Sequence, residues 1–180
     1  MKEEIHEMHE HAHAAQRDRS LIPITISLSI LAVMVAVTSL FGHRSHTEEL
    51  LLQNKVTDNW AFYQAKNIRK HSNEQIADLL SVATLKDPEL GERLKENYKK
   101  EAERYSEEQK EIETEARKLE SETITERKKA NRFDLGEILL EAALVITSIT
   151  LLTKWRVFWI TGILIGCFGI IIAASGLFIY

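Results

Sequence analysis

Apolar residues gather in three long runs along this chain, and the polar stretch between the first two follows a helical period. The first run, Leu21 to Gly42, holds no charged residue. At 1.5 Å per residue it gives roughly 33 Å of helix, enough to cross a bilayer. Pro23 falls in its first turn, where a missing N–H costs little. The second run, Leu135 to Thr153, contains Glu137 and Glu141, and the third, Val157 to Tyr180, is uncharged. Only Lys154-Trp155-Arg156 separates them, so the two helices must be antiparallel. Two cations with Trp155 and Trp159 suit a turn at headgroup level. The pattern predicts a polar tail (1–19), a first span (20–42), a charged helical hairpin (43–133) turning near 83–88, a second span (134–153) and a third (157–180). A cleaved signal peptide is disfavoured, because the preceding residues are acidic and His-rich and no A-x-A site follows.

The charged block is rich in Glu, Lys, Ala, Gln and Leu, all strong helix formers. Its clear break is Thr84-Leu85-Lys86-Asp87-Pro88, where Asp87 as N-cap and Pro88 at the first helical position start a second arm. In that arm Tyr98, Ala102, Tyr105, Gln109, Ile112, Ala116, Leu119, Thr123, Glu126, Ala130 and Phe133 alternate steps of four and three, a heptad seam. In the first arm Ala61, Ala65, Ile68, Ser72, Gln75, Leu79 and Val82 repeat the spacing. The two seams are expected to face each other as an antiparallel coiled coil. Few Pro or Gly breakers separate the arms from the spans, which favours a stalk continuous with the membrane helices over a bundle folded back on the membrane. Glu89 with Arg93, Glu96 with Lys100 and Glu113 with Arg117 are i,i+4 pairs worth a few tenths of a kcal/mol each.

Composition changes this picture little. The chain has 180 residues, 44% hydrophobic and 28% charged, which on average resembles a soluble protein. The distribution does not: 18 of the 23 Lys and Arg and 19 of the 27 Asp and Glu lie between His43 and Phe133. A net charge of −4 without a clustered basic face argues against nucleic acid as a partner. Cys167, the single cysteine, rules out an intrachain disulfide and reads as a small apolar side chain.

The stretch Asp58-Asn59-Trp60-Ala61-Phe62-Tyr63-Gln64-Ala65-Lys66 resembles a bacterial membrane family catalogued as domain of unknown function 4337. The plan of tail, span, helical block and closing pair of spans is similar over nearly the whole chain. Phe62 stands where Tyr is expected at least as often. The resemblance implies a bacterial membrane protein and carries no activity with it.

Four features could carry chemistry or assembly. Glu137 and Glu141 lie one turn apart near the start of the second span, where a carboxylate suggests an ion or proton path. Glu137 also fits the interface, and Glu141 could reach water or pair with Arg132. His6, His9 and His13 would share one face of a helix and could bind zinc, nickel or copper; a solvated tail is the plainer reading. Gly162 and Gly166 form a GxxxG that Gly169, Ala173 and Gly176 continue, a face for close helix packing within the chain or between subunits. Trp60 and Tyr63, with Phe62, are expected to pack between the arms or between subunits. No GxSxG, Walker loop, HExxH or dinucleotide fingerprint occurs, so no enzyme and no cofactor are expected.

Charge near the spans pulls both ways. Arg17, Arg19, Lys154 and Arg156 place the amino terminus and the short turn inside, whereas Arg127, Lys128, Lys129 and Arg132 favour the block inside. Long loops count less in this rule, which slightly favours the block outside an inner membrane. The expected fold is all-α, three transmembrane helices with a long helical hairpin. The expected role is an oligomeric membrane-anchored scaffold in contact with lipids, copies of itself and an unknown protein partner. The alternative is a small channel or transporter component using Glu141.

Overall fold

A computed structural model describes the backbone of residues 2–179 and the side chains of residues 21–179. It contains three helices, α1 (Lys2–Val82), α2 (Pro88–Thr153) and α3 (Arg156–Gly176), and no strand among the described residues. Each helix includes a stretch long and apolar enough to cross a membrane.

The helix boundaries follow local chemistry. α1 ends before Ala83–Asp87, and Asp87 caps α2 by accepting the Leu90 N–H at 3.1 Å. Lys154 closes α2 with φ 57°, its N–H donating to the Thr150 carbonyl at 2.8 Å. A left-handed residue is a common helix stop, although glycine is its usual occupant. Trp155 is extended and α3 begins at once. α3 stops at Gly176, where the expected third span runs on to Tyr180; Leu177, Phe178 and Ile179 instead make bonds three residues back. Pro23 lies inside α1 rather than in its first turn, because helix precedes it. Its missing N–H removes one helical bond. Nearby hydroxyls of Thr25, Ser27 and Ser29 donate to the carbonyls of Leu21, Pro23 and Thr25.

The chain forms two compact units, one of Met1–Thr47 with Thr125–Tyr180, the other of Glu48–Ile124. In the first, α1, α2 and α3 meet around Leu31, Leu140 and Ala143. Gly166 lets the Leu31 side chain approach α3: a Cβ there would stand 2.7 Å from Leu31 Cδ2. Trp159 Nε1 donates to Ser27 Oγ at 3.1 Å, tying α3 to α1.

In the second unit Leu52 and Val56 of α1 pack on Leu119 of α2, with Trp60 against them. Trp60 Nε1 donates to Glu120 at 2.9 Å, and Lys66 Nζ to Glu108. These pairs run in opposite chain order. On α2 the buried residues Ala102, Gln109, Ala116, Leu119 and Thr123 fall at the spacing read from the sequence.

On α1 the structure corrects that reading. Ala61, Ala65, Ile68, Ser72, Gln75, Leu79 and Val82 are all exposed, Ile68 by 70% and Val82 by 80%. The face turned to α2 is two residues out of phase: Leu52, Val56, Asn59, Tyr63, Lys66, Lys70, Asn73, Ala77 and Leu80 are buried or half-buried. The same alternation of three and four extends back along α1 through Ser45, Gly42, Thr38, Val35, Leu31, Leu28 and Ile24. The physical reason is register. Large apolar residues at Leu52 and Val56 set the phase, and the long stems of Lys66 and Lys70 continue it, covering apolar surface while their ammonium groups reach water or a carboxylate.

Candidate functional site

The small-residue face of α3 packs on α2 of the same chain. Gly162, Gly166, Gly169, Ala173 and Gly176 are its buried residues. A Cβ on Gly162 would collide with Thr147 Oγ1 and stand 3.0 Å from the Ala143 carbonyl oxygen. One on Gly176 would meet the Arg132 Cβ at 3.2 Å and the Lys129 carbonyl at 3.4 Å. The partner glycine, Gly136, did not stand out in the sequence, since a lone glycine at the head of an apolar run has no period of its own. A Cβ on it would lie 2.7 Å from the Ala173 Cβ. Helices approach this closely only where side chains are absent, and dispersion over the contact is what holds them in an apolar solvent.

Glu137 is half-buried on α2, whereas Glu141 is exposed. Glu141 shares the outer face of α2 with Ile138 and Val145, both more than half exposed. It makes no hydrogen bond or ion pair to another described residue, Arg132 included. Above the two carboxylates, His46 Nε2 meets Asp134 Oδ2 at 3.0 Å, and Phe41 stacks on Phe133 with ring centroids 5.7 Å apart. Sequence spacing could not pair His46 with Asp134, because they lie 88 residues apart. Thr147 and Thr150 bury hydroxyls with no hydrogen-bond partner.

In the second unit Trp60 and Tyr63 stand edge to face, centroids 5.5 Å apart. Both are half-buried between α1 and α2, while Phe62 is 52% exposed. Lys66 Nζ lies 5.1 Å from the ring centroids of both Phe62 and Tyr105. Its hydrogen bond holds the Glu108 carboxyl below the ordinary carboxylate range, against a smaller opposing effect of desolvation and with help from the Arg104 and Arg69 charges. Lys66 closes the Asp58–Lys66 stretch, but sequence spacing carries no signal for its pairing with Glu108, 42 residues away.

His6, His9 and His13 lie outside the described side chains. Among the described residues no group of His, Cys, Asp and Glu could hold a metal ion. Among the described residues the arrangement offers closely packed helix surfaces and an exposed carboxylate, Glu141.

The sequence signature described as Domain of unknown function (DUF4337) matches residues 20–179, nearly the whole chain. The chain belongs to this family. The family match takes in the whole second unit, the first unit from residue 20 to residue 179, and all three apolar stretches. No curated protein matches the chain. No solved structure matches it either.

Proposed function

We propose that this member of the family is a multi-pass membrane protein that works as an oligomeric, membrane-anchored coiled-coil scaffold through protein partners, without catalysing a reaction. The observation that carries this reading is the heptad-spaced burial along α1 and α2, reinforced by Trp60–Glu120 and Lys66–Glu108. Such a seam gives a helical hairpin a fixed register, which suits a spacer or a presenting surface. The three apolar helices support anchoring by three spans.

The charge distribution favours the hairpin outside the inner membrane. Replacing Cys167 with Ala and placing a lone cysteine at the half-exposed Ser106 tests this with an impermeant maleimide. Labelling of intact cells is expected; labelling only after lysis would put the hairpin inside. Mass measurement in mild detergent tests the scaffold itself, and a monomer that crosslinks to nothing in cells would sink it.

A second reading rests on Glu141, an exposed carboxylate without a partner in the apolar part of α2. Intramembrane carboxylates mark ion or proton paths often enough to motivate a small channel or transporter component, with Glu141 lining a path between subunits. Glu141→Gln should then reduce flux in reconstituted vesicles; unchanged flux removes the basis for this reading.

A further inference from the structure

We infer that Lys128 and Arg132 of α2 hold the phosphate of an anionic phospholipid headgroup in the leaflet from which the hairpin emerges. This rests on the reading of three membrane spans and specifies their lipid contact. The other two helices fix the level. The apolar run of α1 ends at Gly42, which lies against Phe133 and Asp134. α3 stops at Gly176, where a Cβ would meet the Arg132 Cβ at 3.2 Å. Arg132 therefore stands where the apolar run of α1 ends, that of α2 begins and helix α3 stops. That is the depth of lipid headgroups, between acyl chains and bulk water.

Charge and direction narrow the contact to two side chains. Between Glu126 and Asp134 the chain carries four cations and two carboxylates. Both carboxylates are occupied: Lys129 Nζ donates to Glu126 at 2.8 Å, and His46 meets Asp134 at 3.0 Å. Lys128 and Arg132 are exposed and make no hydrogen bond or ion pair to another described residue. They lie one turn apart, so both project from one face of α2. Asn131 and Leu135 share that face and are exposed too. Beyond them Ile138 and Val145 continue outward, exposed by 60% and 57%. Glu141 on this outer side sits nine residues from Arg132, roughly 13 Å along the helix, and does not pair with it.

One side of α2 thus offers two cations at phosphate level and an apolar path for acyl chains beneath them. A signal for membrane orientation needs only a count of cations. A lipid needs charge that runs into apolar surface on a single face. The guanidinium can take two phosphate oxygens at once, and the ammonium adds a point charge beside it.

The test titrates the purified full chain in mild detergent with phosphatidylglycerol or phosphatidylcholine of the same acyl chains and counts bound lipid by native mass spectrometry. Wild type should retain phosphatidylglycerol over phosphatidylcholine. Lys128→Gln with Arg132→Gln should reduce that preference by about fivefold per cation. Lys100→Gln with Lys110→Gln removes the same charge from exposed positions of the hairpin and should leave it unchanged. An equal loss in this control would assign the preference to net charge and overturn the site, as would equal retention of the two lipids by wild type. Inorganic phosphate that competes as well as the lipid would assign the cations to a soluble anion and overturn the headgroup. Alkaline extraction separates the readings. A chain released from membranes by carbonate would overturn the spans and this contact with them, whereas a chain that stays and shows no lipid preference overturns the headgroup contact alone.

Discussion

Gly136 of α2 and Gly169 of α3 meet backbone to backbone: a Cβ on Gly136 would stand 2.9 Å from the Gly169 carbonyl oxygen, and one on Gly169 3.0 Å from that of Gly136. Neither obstacle is a flexible side-chain end, so neither can swing aside. Gly136→Val and Gly169→Val should each destabilise the protein by about 1–3 kcal/mol through overpacking. Thermal unfolding in detergent measures this, and unchanged midpoints would mean that the close approach does not exist.

Gly42 on α1 predicts the opposite sign. A Cβ there would meet Asp134 Oδ1 at 3.4 Å and the Phe133 Cβ at 3.5 Å, ordinary contact. Gly42→Ala adds helix propensity worth about 1 kcal/mol without a clash. The variant should unfold at a higher temperature than the parent; a lower one would show that the helices sit closer at this level than the contacts indicate.

The Lys66–Glu108 tie predicts a dependence on pH. The Glu108 carboxyl is held below its ordinary range chiefly by the hydrogen bond from Lys66. Folded protein thus binds this proton less readily than unfolded chain. Its contribution is full above the usual glutamate value of about 4.3 and is lost as pH falls through the lower folded value. Wild type should therefore be more stable than Glu108→Gln at neutral pH, with the difference vanishing in acid. A difference that persists at the lowest pH would assign it to packing instead of charge.

The seam and the exposed residues of α1 should separate cleanly under mutation. Ala116 is fully buried and Ile68 is 70% exposed. Ala116→Leu forces extra volume between α1 and α2 and should cost about 1–3 kcal/mol. Ile68→Ser should leave the unfolding of a single chain within about 0.5 kcal/mol of wild type, as exposed substitutions do. Denaturant titration of both variants in a dispersing detergent checks the contrast, and a large loss for Ile68→Ser would return that residue to the intrachain seam.

Sequence alone reveals the α2 seam because Ala102, Ala116 and Ala130 recur there among charged neighbours, leaving one narrow face whose single charge is Glu126. It misassigns α1 because that helix carries two stripes. Between Ala61 and Val82 the outward stripe, with Ile68, Leu79 and Val82, is the more apolar. The inward one is made of Asn59, Tyr63, Lys66, Lys70 and Asn73. Apolar content picks the wrong face; continuity of phase from Leu31, Thr38 and Ser45 through Leu52 and Val56 picks the right one. The glycine face of α3 is legible from its spacing. Which surface it meets is not, because small residues permit any close neighbour and only the fold supplies Gly136.

The turn at Lys154 and Trp155 also sets an order of assembly. Gly162 reaches Thr147 across only a few turns of chain, so α2 and α3 can pair as soon as both exist. The contacts of α1 span far more chain, 88 residues for His46 with Asp134 and 132 for Ser27 with Trp159. Closing such loops costs more entropy and takes longer. During synthesis the apolar stretch of α1 around Leu31 is thus made first but settles last, and until Leu140, Ala143 and Gly166 emerge it has nothing of its own chain to hold, whereas Lys66 meets Glu108 only 42 residues on. That interval is when a nascent chain would be open to a chaperone, or to a wrong partner.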